Sequence, residues 1–417
     1  MLLSLPCTLP QSNRLHNKHN TAGLSHNMLV FNQCAPCCCW LIFSLSKFIT
    51  EIHNTKTQCV LAVTGGGTTA ISDLLAVPGA SRTLLEATVP YDSQALADYI
   101  QRTPEQSASA STARQLAMSA YQRARQLTGA DDDVVGIGCT AALTTDRSRR
   151  GTDRCFVAVQ TAKRTMIDFI AFDNAHSETL RVQQERACSD AIIHLLARVA
   201  GVTDGPLSLP IGHIETDHVA APLAWQALLA GINASTLGEL TTPSPVKLLF
   251  PGSFNPLHQG HQDMVRIAEE ISGELAVLEI STFNVDKPPI DYIEMRDREQ
   301  TIGQRYPLVF TNAPTFVAKA RLFPGVMFVV GVDTITRIGD SRYYREAGTD
   351  PEQNLREGLD ALTESNCRFL VFGRKIDSRF ESLTSAKIPV ALRNLCTGIP
   401  EDRFRKDVSS SDIRRQS

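Results

Sequence analysis

The stretch PGSFNPLHQGH (251–261) decides the fold of the C-terminal half of this chain. It follows the apolar run VKLLF (246–250) and precedes a segment whose apolar residues recur with helical spacing. A strand, a glycine-containing turn and the start of a helix bring unpaired backbone amides and the positive end of the helix dipole to one point. We therefore predict a strand–turn–helix unit that binds an anion.

Two histidines stand at the start of this predicted helix. His258 and His261 are three positions apart, so they share a face and can point together at whatever occupies the helix N-terminus. Gly260 between them would allow a phosphate to approach the backbone closely. The alternative is that both histidines are caps or surface residues of an ordinary helix.

Four further apolar runs follow at helix-sized intervals. They are ELAVLEIS (274–281), LVFTN (308–312), MFVVGVD (327–333) and RFLVFGR (368–374). Runs that are apolar on both faces are typical of a parallel sheet covered by helices on both sides. We predict a doubly wound, Rossmann-like α/β domain over residues 246–417, with five strands and a ligand beyond the carboxyl ends of the strands.

The string at 251–261 matches the pattern GxFxPxHxGH, and the region resembles the nucleotidylyltransferase superfamily. That superfamily includes nicotinamide mononucleotide adenylyltransferases, phosphopantetheine adenylyltransferases and cytidylyltransferases. VSSSDIR (408–414) resembles the superfamily's ISSTxIR element, and FVVGVDTITRI (328–338) resembles its strand that ends in Gly-x-Asp near the nucleotide. The alternative for VSSSDIR is a terminal helix capped by serine, with Asp412 in a capping box.

The resemblance implies a site and a reaction. It implies catalytic roles for His258, His261, Lys287 and Arg414. It implies nucleotide binding by Gly252, Ser253, Phe254, Asn255, Gly260, Gly331, Asp333, Arg374, Ser409, Ser410 and Ser411. The substrates would be a nucleoside triphosphate with Mg²⁺ and a small phosphorylated acceptor, with no metal ligands from the protein. A helix-capping role for Asp333 and a solvated loop position for Lys287 are the alternatives.

The N-terminal half has a second α/β pattern. QCVLAV (58–63) runs into a glycine-rich turn at residues 64–67, which either holds an anion or only reverses the chain tightly. RCFVAVQT (154–161) and TMIDFIAF (165–172) predict a hairpin, and a long helix is expected from about residue 177 to 199. We predict a second α/β domain over residues 58–202.

Residues 64–95 resemble the CinA carboxy-terminal domain, whose bacterial members deamidate nicotinamide mononucleotide. The family's nucleophilic serine falls on Ala62, and its lysine falls on Leu96. Without a hydroxyl or a substitute, attack on an amide has no nucleophile. We therefore expect this domain to have lost deamidase chemistry and to keep a binding or structural role. The resemblance also implies a homo-oligomer formed through this domain.

Composition excludes several classes of protein. The chain has 417 residues, 43% of them hydrophobic, and 41 basic against 44 acidic residues, so a general nucleic-acid binder is not expected. Its 11 cysteines are too unevenly spaced for a disulfide framework. The apolar run 37–49 is shorter than the roughly 20 residues of a bilayer span. We expect a soluble cytoplasmic protein without a membrane partner.

Two segments are predicted to lie outside the folded domains. Residues 1–57 carry one acidic residue, Glu51, and loosely resemble an organellar transit segment, so we expect a disordered or targeting leader. The cysteines at 34 and 37–39 form a CxxC half-site with no second half at zinc spacing, so no metal site is predicted. Residues 203–245, rich in proline and glycine, predict a linker with one short helix.

Three functions compete at this point. The first is transfer of a nucleoside monophosphate, most simply from ATP to nicotinamide mononucleotide in NAD biosynthesis. The second is deamidation of nicotinamide mononucleotide by the CinA-like half, and the third is nucleotide binding without catalysis. Ala62 and Leu96 argue against the deamidase, whereas His258, His261 and Arg414 argue against loss of catalysis.

Overall fold

The computed structural model describes residues 37–129, 133–146, 151–172, 179–238, 245–283, 288–344, 350–376 and 379–405. The elements of the N-terminal half are α1 (Cys37–His53), β1 (Gln58–Thr64), α2 (Thr69–Ala76), β2 (Leu84–Thr88), α3 (Ser93–Tyr99), α4 (Ala110–Thr128), β3 (Val134–Ala142), β4 (Arg154–Gln160), β5 (Arg164–Ala171) and α5 (Leu180–Val199). The connector contributes β6 (His213–Ala220) and α6 (Leu223–Leu229).

The C-terminal half continues the chain order. Its elements are β7 (Leu248–Pro251), α7 (Gln259–Ser272), β8 (Ala276–Ser281), α8 (Tyr292–Ile302), β9 (Leu308–Thr311), α9 (Phe316–Leu322), β10 (Met327–Gly331), α10 (Val332–Ile338), α11 (Pro351–Glu364), β11 (Arg368–Phe372), β12 (Arg374–Ile376), β13 (Arg379–Glu381), α12 (Val390–Arg393) and β14 (Cys396–Ile399). None of the helices in the described part of the chain combines the length and apolarity that crossing a bilayer requires.

The first sheet has the strand order β2-β1-β3-β4-β5-β6. β1 is parallel to β2 and β3, whereas each pair of neighbouring strands from β3 to β6 is antiparallel. The antiparallel pair β4 and β5 confirms the hairpin predicted from residues 154–172. Helix α4 packs closely on β3, where a Cβ at Gly138 would lie only 2.3 Å from the carbonyl oxygen of Ala113. This close contact fixes the position of α4 against the sheet.

The second sheet confirms the predicted doubly wound α/β fold. Its order is β14-β11-β10-β7-β8-β9, and all neighbours are parallel. The prediction of five strands was wrong, because β14 adds a sixth strand beside β11. β14 is a short edge strand with two exposed central residues, Thr397 and Gly398, so it lacks the continuous apolar run that marks a buried parallel strand.

The order of this sheet reverses beside β7, the first strand of the C-terminal half. Pairing between β7 and β10 covers two residue pairs, at Leu248 and Leu249, although β7 continues to Pro251 and β10 to Gly331. Beyond these pairs a crevice opens at the carboxyl ends of the strands. In doubly wound sheets, ligands bind in the crevice at such a switch point.

The leader predicted over residues 1–57 ends earlier than expected. Helix α1 extends to His53, and the side chains of Ile49 and Ile52 are 1% and 0% exposed within the core of the N-terminal half. The buried ring of His53 lies 2.9 Å from the Thr83 hydroxyl and 3.0 Å from the Leu74 carbonyl oxygen. Only packing against residues distant in sequence distinguishes this stretch from a leader.

The segment predicted as a linker is also part of the fold. β6 extends the first sheet along β5, and α6 buries Trp225, Leu228 and Leu229. These side chains belong to one hydrophobic cluster that includes Tyr121 of α4 and Phe250 of β7. The two halves of the chain therefore share a core instead of being joined by a flexible tether.

Candidate functional site

A cavity of about 290 Å³ opens at the switch point of the second sheet. Its walls come from the end of β7, the first turns of α7, the ends of β10 and β11, and one residue near the end of the described chain. The lining side chains and backbone belong to Phe250, Pro251, Gly252, Phe254, His258, Gly260, His261, Met264, Val330, Gly331, Asp333, Thr334, Phe372, Gly373, Arg374 and Phe404. The crevice expected from the strand order is thus present.

His258 and His261 act as a pair at the start of α7. His258 is the N-cap residue, and the two imidazole rings stack with centroids 3.7 Å apart. The backbone N–H of His258 donates to Nδ1 of His261 at 3.3 Å. Because Nδ1 accepts this bond, a neutral His261 carries its proton on Nε2. Within the described part of the chain no hydrogen bond engages that N–H, and His261 lines the cavity.

Both imidazoles are held in the neutral form. Burial lowers the pKa of His258, and burial together with the nearby His258 lowers the pKa of His261 to about 3. Nδ1 of His258 is buried and has no partner among the described residues. A neutral imidazole still donates one hydrogen bond, so the pair offers donors to an anion without a fixed positive charge.

The turn before α7 is shaped by Phe254. This residue has a φ of 45° and a side chain that is 1% exposed, and its ring meets those of Phe250 and His261 edge-on at 5.1 and 5.2 Å. A Cβ at Gly252 would lie 2.8 Å from the Phe254 ring, so only glycine fits there. Phe254, predicted to bind the nucleotide, therefore also holds the ring of His261 in place.

Asp333 and Arg374 also line the cavity. Nη1 of Arg374 donates to Oδ2 of Asp333 at 2.7 Å, whereas Oδ1 of Asp333 is buried without a partner in the described chain. Gly331 is the N-cap of α10 and Asp333 lies in its first turn, so the capping alternative for Asp333 is not realised. The structure therefore places a cation and a carboxylate in the same cavity as the histidines.

The structure brings together most of the residues predicted for this site. Gly252, Phe254, His258, Gly260, His261, Gly331, Asp333 and Arg374 line one cavity. Ser253 and Asn255 lie on the same turn but are exposed and do not line it. The remaining predicted residues lie outside the described residues: Lys287, Ser409, Ser410, Ser411 and Arg414, together with the cysteines at 34 and, for their side chains, 37–39.

Sequence reasoning missed two groups of residues. Met264, Thr334 and Phe372 lie in helix and strand segments that were recognised in the sequence but were not assigned to the site, whereas Phe404 lies outside any recognised pattern; all four line the cavity. Arg298 of α8 donates from Nη1 to the Phe254 carbonyl oxygen at 3.1 Å and so supports the turn before α7. Its sequence context, an ordinary charged helix, carries no signal for this contact.

The glycine-rich turn of the N-terminal half is filled by the protein itself. The carboxylate of Glu185, on α5, accepts hydrogen bonds from the amides of Gly67 and Thr69 at 2.8 and 3.0 Å and from the Thr68 hydroxyl at 2.9 Å. Burial by itself raises the pKa of Glu185, but these hydrogen bonds lower it by more, so the pKa lies below its usual value. The anion position that the turn creates is therefore occupied by a side chain.

The two positions that separate this chain from the CinA pattern lie together. Ala62 and Leu96 belong to one buried hydrophobic cluster with Ile100 and Leu116. Cys59, on the same strand, is fully buried, and burial raises the pKa of its thiol to about 12. The described residues around Ala62 thus form an apolar core.

Comparison with known proteins supports the assignment of the C-terminal half. Residues 249–416 match the family model described as cytidylyltransferase-like. This supports a nucleotidyltransferase-type enzyme and leaves the identity of the base and of the acceptor open. No curated relative matches the chain.

Solved structures similar to the N-terminal part of the chain include CinA-family proteins. A competence/damage inducible protein from Agrobacterium tumefaciens is 17% identical, with a TM-score of 0.32, over 38% of this chain and 94% of its own. A CinA superfamily protein from Enterobacter cloacae is 17% identical, with a TM-score of 0.31, over 42% and 99%. One from Escherichia coli is 18% identical, with a TM-score of 0.29, over 43% and 100%. We draw no activity from these neighbours.

Proposed function

We propose that this protein transfers a nucleoside monophosphate from a nucleoside triphosphate to a small phosphorylated acceptor and releases pyrophosphate. The observation that carries the proposal is the pair of neutral imidazoles at the start of α7, which faces the cavity at the switch point of a cytidylyltransferase-like sheet. Helix start, backbone amides and imidazole donors together suit a phosphate group.

In the proposed reaction, an oxygen of the acceptor phosphate attacks the α-phosphorus in line. A bond forms between this oxygen and phosphorus, and the bond to the bridging oxygen breaks, so pyrophosphate leaves with that electron pair. His258 and His261 donate hydrogen bonds to the α-phosphate and the bridging oxygen as charge develops there. No covalent enzyme intermediate is required.

The triphosphate tail needs cations beyond the described part of the cavity. Arg374 supplies one at its rim, and we propose that Lys287, Arg414 and the serines at 409–411 supply the rest. Phe404 lines the cavity, and Ser409 follows it by about five positions, which an extended chain covers in at most about 18 Å. We therefore propose that the C-terminal element contributes to the phosphate site.

Mg²⁺ is proposed to enter with the triphosphate. Among the described residues, no group of three or more histidine, cysteine, aspartate or glutamate side chains forms a metal site. The Asp333 carboxylate is the acidic group that lines the cavity, and one of its oxygens already pairs with Arg374. The ion would thus keep phosphate oxygens and water as its ligands.

We propose nicotinamide mononucleotide as the first acceptor to test, with both ATP and CTP as donors. The purified full chain is incubated with each pair, and pyrophosphate, ammonia and the dinucleotide product are measured separately. Pyrophosphate that depends on the acceptor supports the transferase. Ammonia from nicotinamide mononucleotide would instead support the deamidase, and nucleotide binding without either product would support a non-catalytic role. The apolar cluster around Ala62 favours the first outcome.

A further inference from the structure

Helix α8 is embedded in both halves of the protein. Its first residue, Tyr292, is 0% exposed, and its hydroxyl donates to the Ala162 carbonyl oxygen at 2.7 Å in the hairpin between β4 and β5. The amide of Tyr292 donates to the Thr165 hydroxyl at 3.1 Å. The N-terminal end of α8 is therefore fixed by the N-terminal half of the chain.

A charged contact reinforces the same attachment. Arg114 of α4 contacts Asp291, the N-cap of α8, at 3.0 Å and Glu294 at 3.6 Å. The side chains of Arg114 and Asp291 are 12% and 8% exposed, so water screens this pair weakly. Loss of Arg114 would leave a nearly buried carboxylate without its cation at the start of α8.

From Glu294 the contacts continue to the proposed phosphate site. Glu294 pairs with Arg298 one turn further along α8, and Arg298 donates to the carbonyl oxygen of Phe254 at 3.1 Å. Phe254 has a left-handed backbone conformation, and its ring lies against that of His261. The side chain of Arg298 is 13% exposed, so its position is defined by packing.

We propose that the N-terminal half positions the histidine pair of the C-terminal half through helix α8, with Arg298 and Arg114 as positioning residues. The catalytic meaning of this arrangement rests on the proposed function, whereas the effect on the His261 ring does not. The domain that resembles a deamidase but lacks its nucleophile thus has a defined role as a scaffold for the transferase site.

The coupling has two physical components. Arg298 satisfies the carbonyl of a residue with positive φ, which holds the turn in the one conformation that stacks His261 on His258. Arg114 and Tyr292 set the position of α8 and therefore of Arg298. A misplacement of catalytic groups by about 1 Å is enough to reduce turnover by about two orders of magnitude.

The test uses the full chain labelled with ¹⁵N-histidine and four variants: R298M, R298K, R114M and Y292F. R266M is the matched control, because Arg266 forms an ion pair with Glu270 on the exposed face of α7 and its side chain is 61% exposed. The imidazole ¹⁵N signals of His258 and His261, assigned with H258N and H261N, report ring positions without any substrate. Steady-state kinetics then separate kcat from KM.

We expect R298M to shift both imidazole signals and to lower kcat by about tenfold or more, with a change in KM for the triphosphate of less than about threefold. R114M and Y292F should shift the same signals in the same direction by a smaller amount. R298K, which keeps a cationic donor, should show a smaller decrease in kcat and a smaller signal shift than R298M. R266M should match the wild-type protein in both measurements.

Wild-type imidazole signals in R298M and R298K would overturn the proposal, and so would shifts in R298M that neither R114M nor Y292F reproduces. If R298M does not fold, R298K and R114M carry the same comparison. A wild-type chain without transferase activity would refute the proposed function alone, because the imidazole signals still decide whether α8 positions the histidines.

Discussion

Replacement of His261 by asparagine is the most direct test of the site. The asparagine side-chain oxygen occupies a position close to Nδ1 of the imidazole and can still accept from the His258 backbone amide, a bond of 3.3 Å in the wild-type protein. The variant has no counterpart of Nε2–H. The substitution therefore removes the proposed donor to the transferred phosphate and keeps the start of helix α7.

The magnitude follows from the contacts of the ring. Loss of one preorganised donor to a transition state reduces kcat by about 10²- to 10³-fold, or about 3–4 kcal/mol. The same substitution removes the ring stack with His258, at 3.7 Å, and an edge contact with Phe254, at 5.2 Å, which together stabilise the fold by about 1 kcal/mol. The effect on turnover should thus exceed the effect on stability.

The assay is pyrophosphate release at saturating nucleoside triphosphate and acceptor, with thermal unfolding measured on the same samples. H213N is the control, because His213 is an exposed residue of β6 outside the cavity, so its turnover should equal that of the wild type. H261A should lose as much activity as H261N and slightly more stability. Turnover of H261N within about threefold of the wild type would refute the role of Nε2–H.

Three further predictions concern stability, each followed by urea unfolding. The free energy of unfolding should fall as the pH is lowered from about 6.5 towards 3, because histidine in the unfolded chain takes up a proton near pH 6.5 whereas burial lowers the pKa of His261 in the folded protein to about 3. His261 contributes at most about 1.4 kcal/mol per pH unit to this slope, and H261N should make the pH dependence shallower. Lys319→Met should lower the free energy of unfolding by about 3–5 kcal/mol, because it leaves the Glu279 carboxylate, which is 1% exposed, without the ammonium group that now lies 2.7 Å away. A double variant that also carries Glu279→Met should recover most of the loss. A double variant as unstable as the single one would contradict this account. Glu185→Gln should cost about 1–2 kcal/mol, because the amides of Gly67 and Thr69 lose a charged acceptor, and an unchanged unfolding midpoint would show that the carboxylate does not stabilise the turn.

Sequence patterns predicted the C-terminal half well because the features that define it lie within short segments of the chain. The turn at 251–261 brings its own strand, glycines and helix start, so His258 and His261 are adjacent in any fold that forms this unit. Apolar runs marked the buried parallel strands of the second sheet. The edge strand β14 was not predicted, because its exposed residues resemble those of a loop in sequence and only its pairing with β11 identifies it as a strand.

Patterns failed where burial depends on a distant partner. The end of the predicted leader and the predicted linker are irregular in composition, yet Ile52 and Trp225 are buried within cores built from other segments. The glycine-rich turn of the N-terminal half looked like an anion site, and only the position of α5 showed that the Glu185 carboxylate fills it. The contact between Gly67 and Glu185 joins residues 118 positions apart, and the contact between His53 and Thr83 joins residues 30 positions apart, so neither leaves a local periodicity in the sequence.

The amino-acid sequence by itself determined the class of the C-terminal fold, the histidine pair at its helix start and the absence of a serine at position 62, because each depends on neighbouring residues or on residue identity alone. The tertiary structure decided that Asp333 and Arg374 line the same cavity as those histidines, that Ala62 and Leu96 pack in one apolar cluster, and that α8 contacts both halves. These are contacts between segments remote in the chain, and only packing of the whole protein specifies them.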